Sequence, residues 1–140
     1  MTISLTNLPG NPADGAADYF RLDLPDVLTP ALLTTLDGFC DRVEDTRVAV
    51  AALHITPAAN PEQARRWPGD IGIHLVTKWE RALRRIERLR AATIAIADGP
   101  CAGAGLEVLL ATDYRIVTPA FRLTLRPPSG LPWPGMIVHR

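Results

Sequence analysis

Three kinds of reactive group fall in one short stretch, Gly99-Pro100-Cys101-Ala102-Gly103-Ala104-Gly105-Leu106-Glu107. They are a thiol, a carboxylate and a glycine-punctuated run of backbone N–H groups. Gly99, Gly103 and Gly105 let a ligand approach bare backbone, and a helix that follows would aim its unpaired N–H groups and positive dipole end at negative charge. The glycine spacing fits neither G-x-G-x-x-G nor a P-loop, which argues against nucleotide binding through those motifs. Gly99 to Gly103 also reads as G-x-C-x-G, a cysteine form of the nucleophile elbow, and keeps a Cys-dependent α/β hydrolase as a minor alternative. That chemistry needs an acid and then a histidine, and the chain offers Asp113 and only His139, beside its last residue. The plainer reading of Cys101 is a small packed residue. In a third reading the Ala104 N–H donates to a developing oxyanion, with Glu107 one turn on as general acid/base or water-orienting group. The plain alternative for Glu107 is a first-turn glutamate that favours the helix dipole.

The flanking residues indicate what holds these groups. Thr93 to Ala97 is a short β-branched strand entering the turn, and Leu106, Leu109 and Leu110 give the following helix an apolar face. Upstream, Tyr19 to Leu24 alternates as a half-buried strand ended by Pro25. Thr29-Pro30 starts a helix, with a hydroxyl at the N-cap and proline at the first position. Leu32, Leu36, Phe39 and Val43 continue it, Leu33 and Cys40 widen the stripe, and it stops near Glu44-Asp45. Val48 to Ile55 is a nearly unbroken apolar run, expected as a strand covered on both faces. Thr56 to Gly72 is an irregular passage of a length that is usually functional or disordered. A helix over Leu75 to Arg90 turns Trp79, Leu83 and Ile86 inward and crowds Lys78, Arg81, Arg84, Arg85, Arg88 and Arg90 outside. That basic face reads first as solvated surface, and second as an attractor of a phosphate-bearing ligand or acidic partner. Tyr114 to Val117 and Phe121 to Leu125 are two further strands. The alternation predicts one α/β domain with a largely parallel sheet, residues 19–140, behind a loose arm, residues 1–18.

Composition narrows the partners. Lys+Arg and Asp+Glu both number 15, so no global charge recruits nucleic acid or membrane. No apolar run approaches the roughly 20 residues of a bilayer span. The N-terminal residues carry no basic region and no apolar core, so no signal peptide is expected. Two cysteines in apolar surroundings predict a reduced, cytoplasmic protein. No metal site is expected.

The stretch IADGPCAGAGLEVLLATDYRIVTPAFRLTL resembles the signature of the enoyl-CoA hydratase/isomerase (crotonase) family. That signature runs from an apolar strand through a Gly-Pro-x-x-Gly-Gly-Gly-x-Glu turn and an apolar helix ending in Asp to an Arg-Ile strand and an F-x-L strand. The likeness extends loosely from Tyr19 to Pro134-Gly135. It implies a ClpP/crotonase-like spiral of strand-strand-helix units, truncated before the C-terminal helices that cover the acyl pocket and build trimers. It also implies an acyl-CoA substrate, with coenzyme A as part of that substrate and no separate cofactor, and a homo-oligomer, a trimer or dimer of trimers. Ala104 would supply one of two oxyanion-hole N–H groups for the thioester. The other falls in Pro68-Gly69-Asp70-Ile71, at Asp70 or Ile71. Glu107 matches the first of the hydratase's two glutamates.

The departures bear on the reaction. The second glutamate would stand at position 127, where the chain has Pro127, and no Asp or Glu follows Asp113. An enoyl-CoA hydratase/dehydratase-like lyase that stabilises a thioester enolate is therefore one expectation. A non-catalytic accessory crotonase that assists a partner acyl-CoA or polyketide synthase is the other. PGDIGIHLVTKWERALRRIERL, GPCAG and Trp133-Pro134-Gly135-Met136 further resemble the crotonase-like accessory proteins of dihydroxyphenylglycine biosynthesis, which implies secondary metabolism beside a type III polyketide synthase.

Overall fold

The computed structural model describes residues 18–22, 28–57 and 69–123. In chain order these form β1 (Asp18–Leu22), α1 (Pro30–Thr46), β2 (Val50–Ile55), α2 (Ile73–Glu87), β3 (Ala92–Ala97), β4 (Pro100–Cys101), α3 (Gly103–Ala111), β5 (Tyr114–Val117) and β6 (Arg122–Leu123). Four strands make a sheet in the order β1-β2-β3-β5, and β4 pairs with β6. Every pairing is parallel. Parallel neighbours need crossovers, and α1, α2 and the β4–α3 unit provide them. The α/β reading of the sequence holds.

Local chemistry sets the element ends. Thr29 Oγ1 accepts from Leu32 N at 3.3 Å and Pro30 opens α1, as the sequence indicated. The helix runs to Thr46, past Glu44-Asp45, and stops at Arg47, whose φ of 52° is left-handed. Val48 and Ala49 are spent leaving that turn, so β2 begins at Val50. The apolar run in β2 is not evenly covered. Ala51, Leu53 and Ile55 are buried, whereas Val50, Ala52 and His54 are half-buried. One face of the sheet joins the core that also takes the inner faces of α1 and α2. There Phe39 of α1 meets Phe20 of β1 edge-on, with ring centroids 4.8 Å apart.

α1 and α2 are tied on their outer side by Arg85. Its guanidinium reaches Glu44 at 2.9 Å, Asp41 at 2.5 Å and Asp37 at 3.5 Å. Two polar clasps hold the frame of the glycine turn. Asp113 Oδ2 accepts from Thr93 N at 2.8 Å and from Thr93 Oγ1 at 2.9 Å, while Asp113 N donates to Thr93 Oγ1 at 3.0 Å. Arg115 donates to the carbonyls of Leu109, Leu110 and Thr112 at 2.9–3.0 Å, satisfying the end of α3 with a cation where the dipole favours one.

Candidate functional site

The turn between β3 and α3 is built on left-handed glycines. Gly99 has φ +77° and Gly103 φ +55°, conformations that a side chain strains. A Cβ on Gly99 would also stand 3.4 Å from Pro57 at the end of β2. The Gly99 carbonyl accepts from Arg122 N at 3.0 Å, so β6 braces the turn from outside. Gly105 is buried in the first turn of α3 with no left-handed φ.

α3 starts after Ala102 with no side-chain cap, and its first backbone closure is Leu106 N to Ala102 O at 3.4 Å. The N–H groups of Gly103, Ala104 and Gly105 therefore belong to the set that a helix cannot satisfy from within. Ala104, assigned from its motif position, lies in this first turn, with its side chain buried.

Glu107 sits one turn further on and is 1% exposed. That overturns the reading of it as a first-turn glutamate that favours the helix dipole, because it lies past the first turn and inside the protein. The helix around it is buried on almost every side, from Ala104 to Leu109 and again at Ala111, rather than carrying one apolar stripe. A carboxylate in such surroundings is costly unless it is hydrogen-bonded. Trp79 of α2 supplies the bond: its Nε1–H donates to Glu107 Oε2. Trp79 itself is wholly buried, with Ala82, Leu83 and Ile86 of the same helix. The sequence marked Trp79 as an inward-facing core residue only. The signal for more was the residue type, since a buried indole N–H usually finds an acceptor.

Cys101 does not form a nucleophile elbow. Its side chain is 4% exposed on β4, its φ is not left-handed, and burial pushes its thiol up to about 11. An elbow nucleophile must instead be exposed on a strained turn. Asp113 is held by Thr93, and His139 lies outside the described residues. Cys40 and Cys101 are both free thiols.

No family model matches the chain. The chain is 48% identical over 123 residues to a protein named enoyl-CoA-hydratase from Amycolatopsis orientalis, a match covering 86% of this chain and 54% of that one. Its fold is similar to the crystal structure of an enoyl-CoA hydratase/isomerase family protein from Hyphomonas neptunium. The TM-score there is 0.64 at 20% identity, over 86% of this chain and 51% of that one. A Streptomyces coelicolor A3(2) structure named as an enoyl-CoA hydratase gives 0.62 at 20% identity, over 89% and 50% of the two chains. The chain belongs to the enoyl-CoA hydratase/isomerase (crotonase) family. It spans about half the length of these relatives.

Within this crotonase fold the other expected donors lie just ahead of α2. Asp70 is exposed, in a bend after Gly69 with φ +86°, and Ile71 is half-buried against the core. The same segment leads through Gly72, the N-cap of α2, into the helix that carries Trp79. Pro127, Trp133, Pro134, Gly135 and Met136 lie outside the described residues, as do the arm at 1–17 and most of the Thr56 to Gly72 passage. The basic face of α2 is only partly available to an anion. Arg85 is taken up by Asp37, Asp41 and Glu44, and Arg81, Arg84 and Arg88 line an open groove together with Glu44 and Glu80. Among the described residues no group of three or more His, Cys, Asp or Glu could hold a metal ion. No described helix is long and apolar enough to cross a membrane.

Proposed function

We propose that this crotonase chain binds an acyl-CoA thioester and moves a proton next to its carbonyl, as an enoyl-CoA hydratase/dehydratase-like lyase of the cytoplasm. The Ala104 N–H and an N–H of Asp70 or Ile71 stabilise the thioester oxygen as it gains charge. Glu107 takes the proton from the α-carbon, and the C–H electron pair moves to that oxygen as an enolate. Returning the proton reverses the step. Coenzyme A enters as part of the substrate, and a homo-oligomer completes the acyl pocket. The observation that carries the reading is Glu107, a carboxylate sealed in an apolar helix one turn from the Ala104 amide. A relative named enoyl-CoA-hydratase supports the substrate class.

The direct experiment is proton exchange at the α-carbon of butyryl-CoA in D2O, followed by NMR. The unaltered protein is expected to catalyse it, and Glu107→Gln to slow it roughly 100-fold or more. Equal rates for the two proteins would remove Glu107 from the chemistry.

A second reading is favoured by one residue. Pro127 stands at the second glutamate position, so two carboxylates are not available to handle one water. On that reading the chain is an accessory crotonase that binds a thioester or a partner synthase in secondary metabolism, without completing hydration itself. Absence of exchange, together with faster turnover of a type III polyketide synthase on mixing, is its expected signature.

A further inference from the structure

Trp79 and Glu107 come from different helices and meet in the core, where neither is more than 1% exposed. The pair is a poor device for stability alone. Even a buried ion pair can often be replaced by well-packed apolar side chains of similar volume at no loss of stability. α3 is otherwise an apolar helix, so a leucine would suit position 107 by packing. The partner is also unusually restrictive. Indole is a donor only, through one atom, and the ring turns about just two torsions, both fixed here by the packing of α2 against the core. Glutamate has more rotatable bonds and would otherwise sample several rotamers. A donor fixed in the core therefore selects one of them.

We propose that Trp79 is a positioning residue, whose indole N–H fixes the Glu107 carboxylate in the orientation from which it exchanges a proton with the acyl group. The proposal rests on the reading that Glu107 moves that proton. It gives a physical reason why one carboxylate can act in a chain with Pro127 at the second position: orientation comes from a neutral donor on α2 rather than from a second acid. Misplacing a reacting group slightly is enough to lose much of a rate.

Two measurements test it. The first needs no substrate. Protein labelled with 15N at the indoles carries three such resonances, from Trp67, Trp79 and Trp133, and the Trp79→Phe spectrum identifies the one from Trp79. In Glu107→Gln, which keeps the size and shape of the side chain, that resonance is expected to move upfield, because a neutral acceptor binds the N–H more weakly than a carboxylate. An unmoved resonance overturns the proposal. The second is α-proton exchange of butyryl-CoA by Trp79→Phe. The expected result is a kcat for exchange lower by about tenfold or more with KM within about twofold. A benzothienylalanine at position 79, which replaces the N–H by sulfur at nearly equal size, should show the same split, separating the lost donor from lost packing. Unchanged kcat in the benzothienylalanine protein overturns the proposal. If the unaltered protein shows no exchange while the Trp79 resonance still responds to Glu107→Gln, the proton-transfer reading falls and the positioning of the carboxylate by Trp79 stands.

Discussion

The indole N–H of Trp79 donates to Glu107 Oε2 across the α2–α3 contact, joining residues 28 positions apart in the chain. This bond relates the outer helix, packed on α1 through Arg85, to the helix that begins at the glycine turn. Movement of α2 would therefore be felt at the carboxylate.

The pair should be energetically coupled. In urea unfolding, Trp79→Phe and Glu107→Gln are each expected to destabilise the fold. The double variant should differ from the sum by about 0.5–3 kcal/mol, the range for residues in direct contact. Strict additivity would mean that the bond adds nothing to the folded state.

Arg115 closes the other end of α3. Its three hydrogen bonds to Leu109, Leu110 and Thr112 carbonyls would be lost in Arg115→Met, which keeps most of the apolar stem. A loss of about 1–3 kcal/mol is expected, since hydrogen bonds to charged groups contribute at that level. Amide exchange from Val108 to Ala111 should quicken more than exchange in β2. Equal quickening everywhere would make Arg115 a general stabiliser rather than the cap of α3.

Both cysteines make stability fall in alkali. Burial pushes Cys40 up to about 12 and Cys101 to about 11, against 9.0 for an exposed thiol. Above about pH 9 the unfolded chain therefore releases protons that the folded chain retains, and unfolding becomes easier as pH rises. Replacing Cys101 by alanine should flatten the decline between pH 9 and 11, measured as the urea midpoint against pH. An unchanged slope would show that this thiol is not shielded. Cys101→Ala should also leave α-proton exchange intact, and loss of exchange would revive a chemical role for the thiol.

The clasp of Arg85 on Asp37, Asp41 and Glu44 is half-buried and multivalent. Arg85→Met should cost about 1 kcal/mol at low salt, with the difference narrowing as salt is added, because the carboxylates face water. A cost that ignores ionic strength would place the contribution in the arginine stem rather than its charge.

Much of this protein follows from local sequence. Thr29-Pro30 determined where α1 starts, because the cap and the proline act within one turn. The β-branched run Thr93 to Ala97, followed by Gly99 and Gly103, determined a strand, a turn that needs left-handed φ, and a helix. The GPCAGAGLE motif pointed to the family. Tertiary structure alone decided the rest. Leu106, Leu109 and Leu110 implied one apolar face, but α3 is enclosed on nearly every side, since neighbouring elements rather than periodicity determine how much of a helix is covered. Cys101 had two readings in the sequence, a small packed residue and an elbow nucleophile, and its burial on β4 decides for the first. The bond between Trp79 and Glu107 could not be read from the sequence. Side-chain periodicity reports which way a residue faces, and only the packing of α2 on α3 determines which acceptor a buried N–H meets.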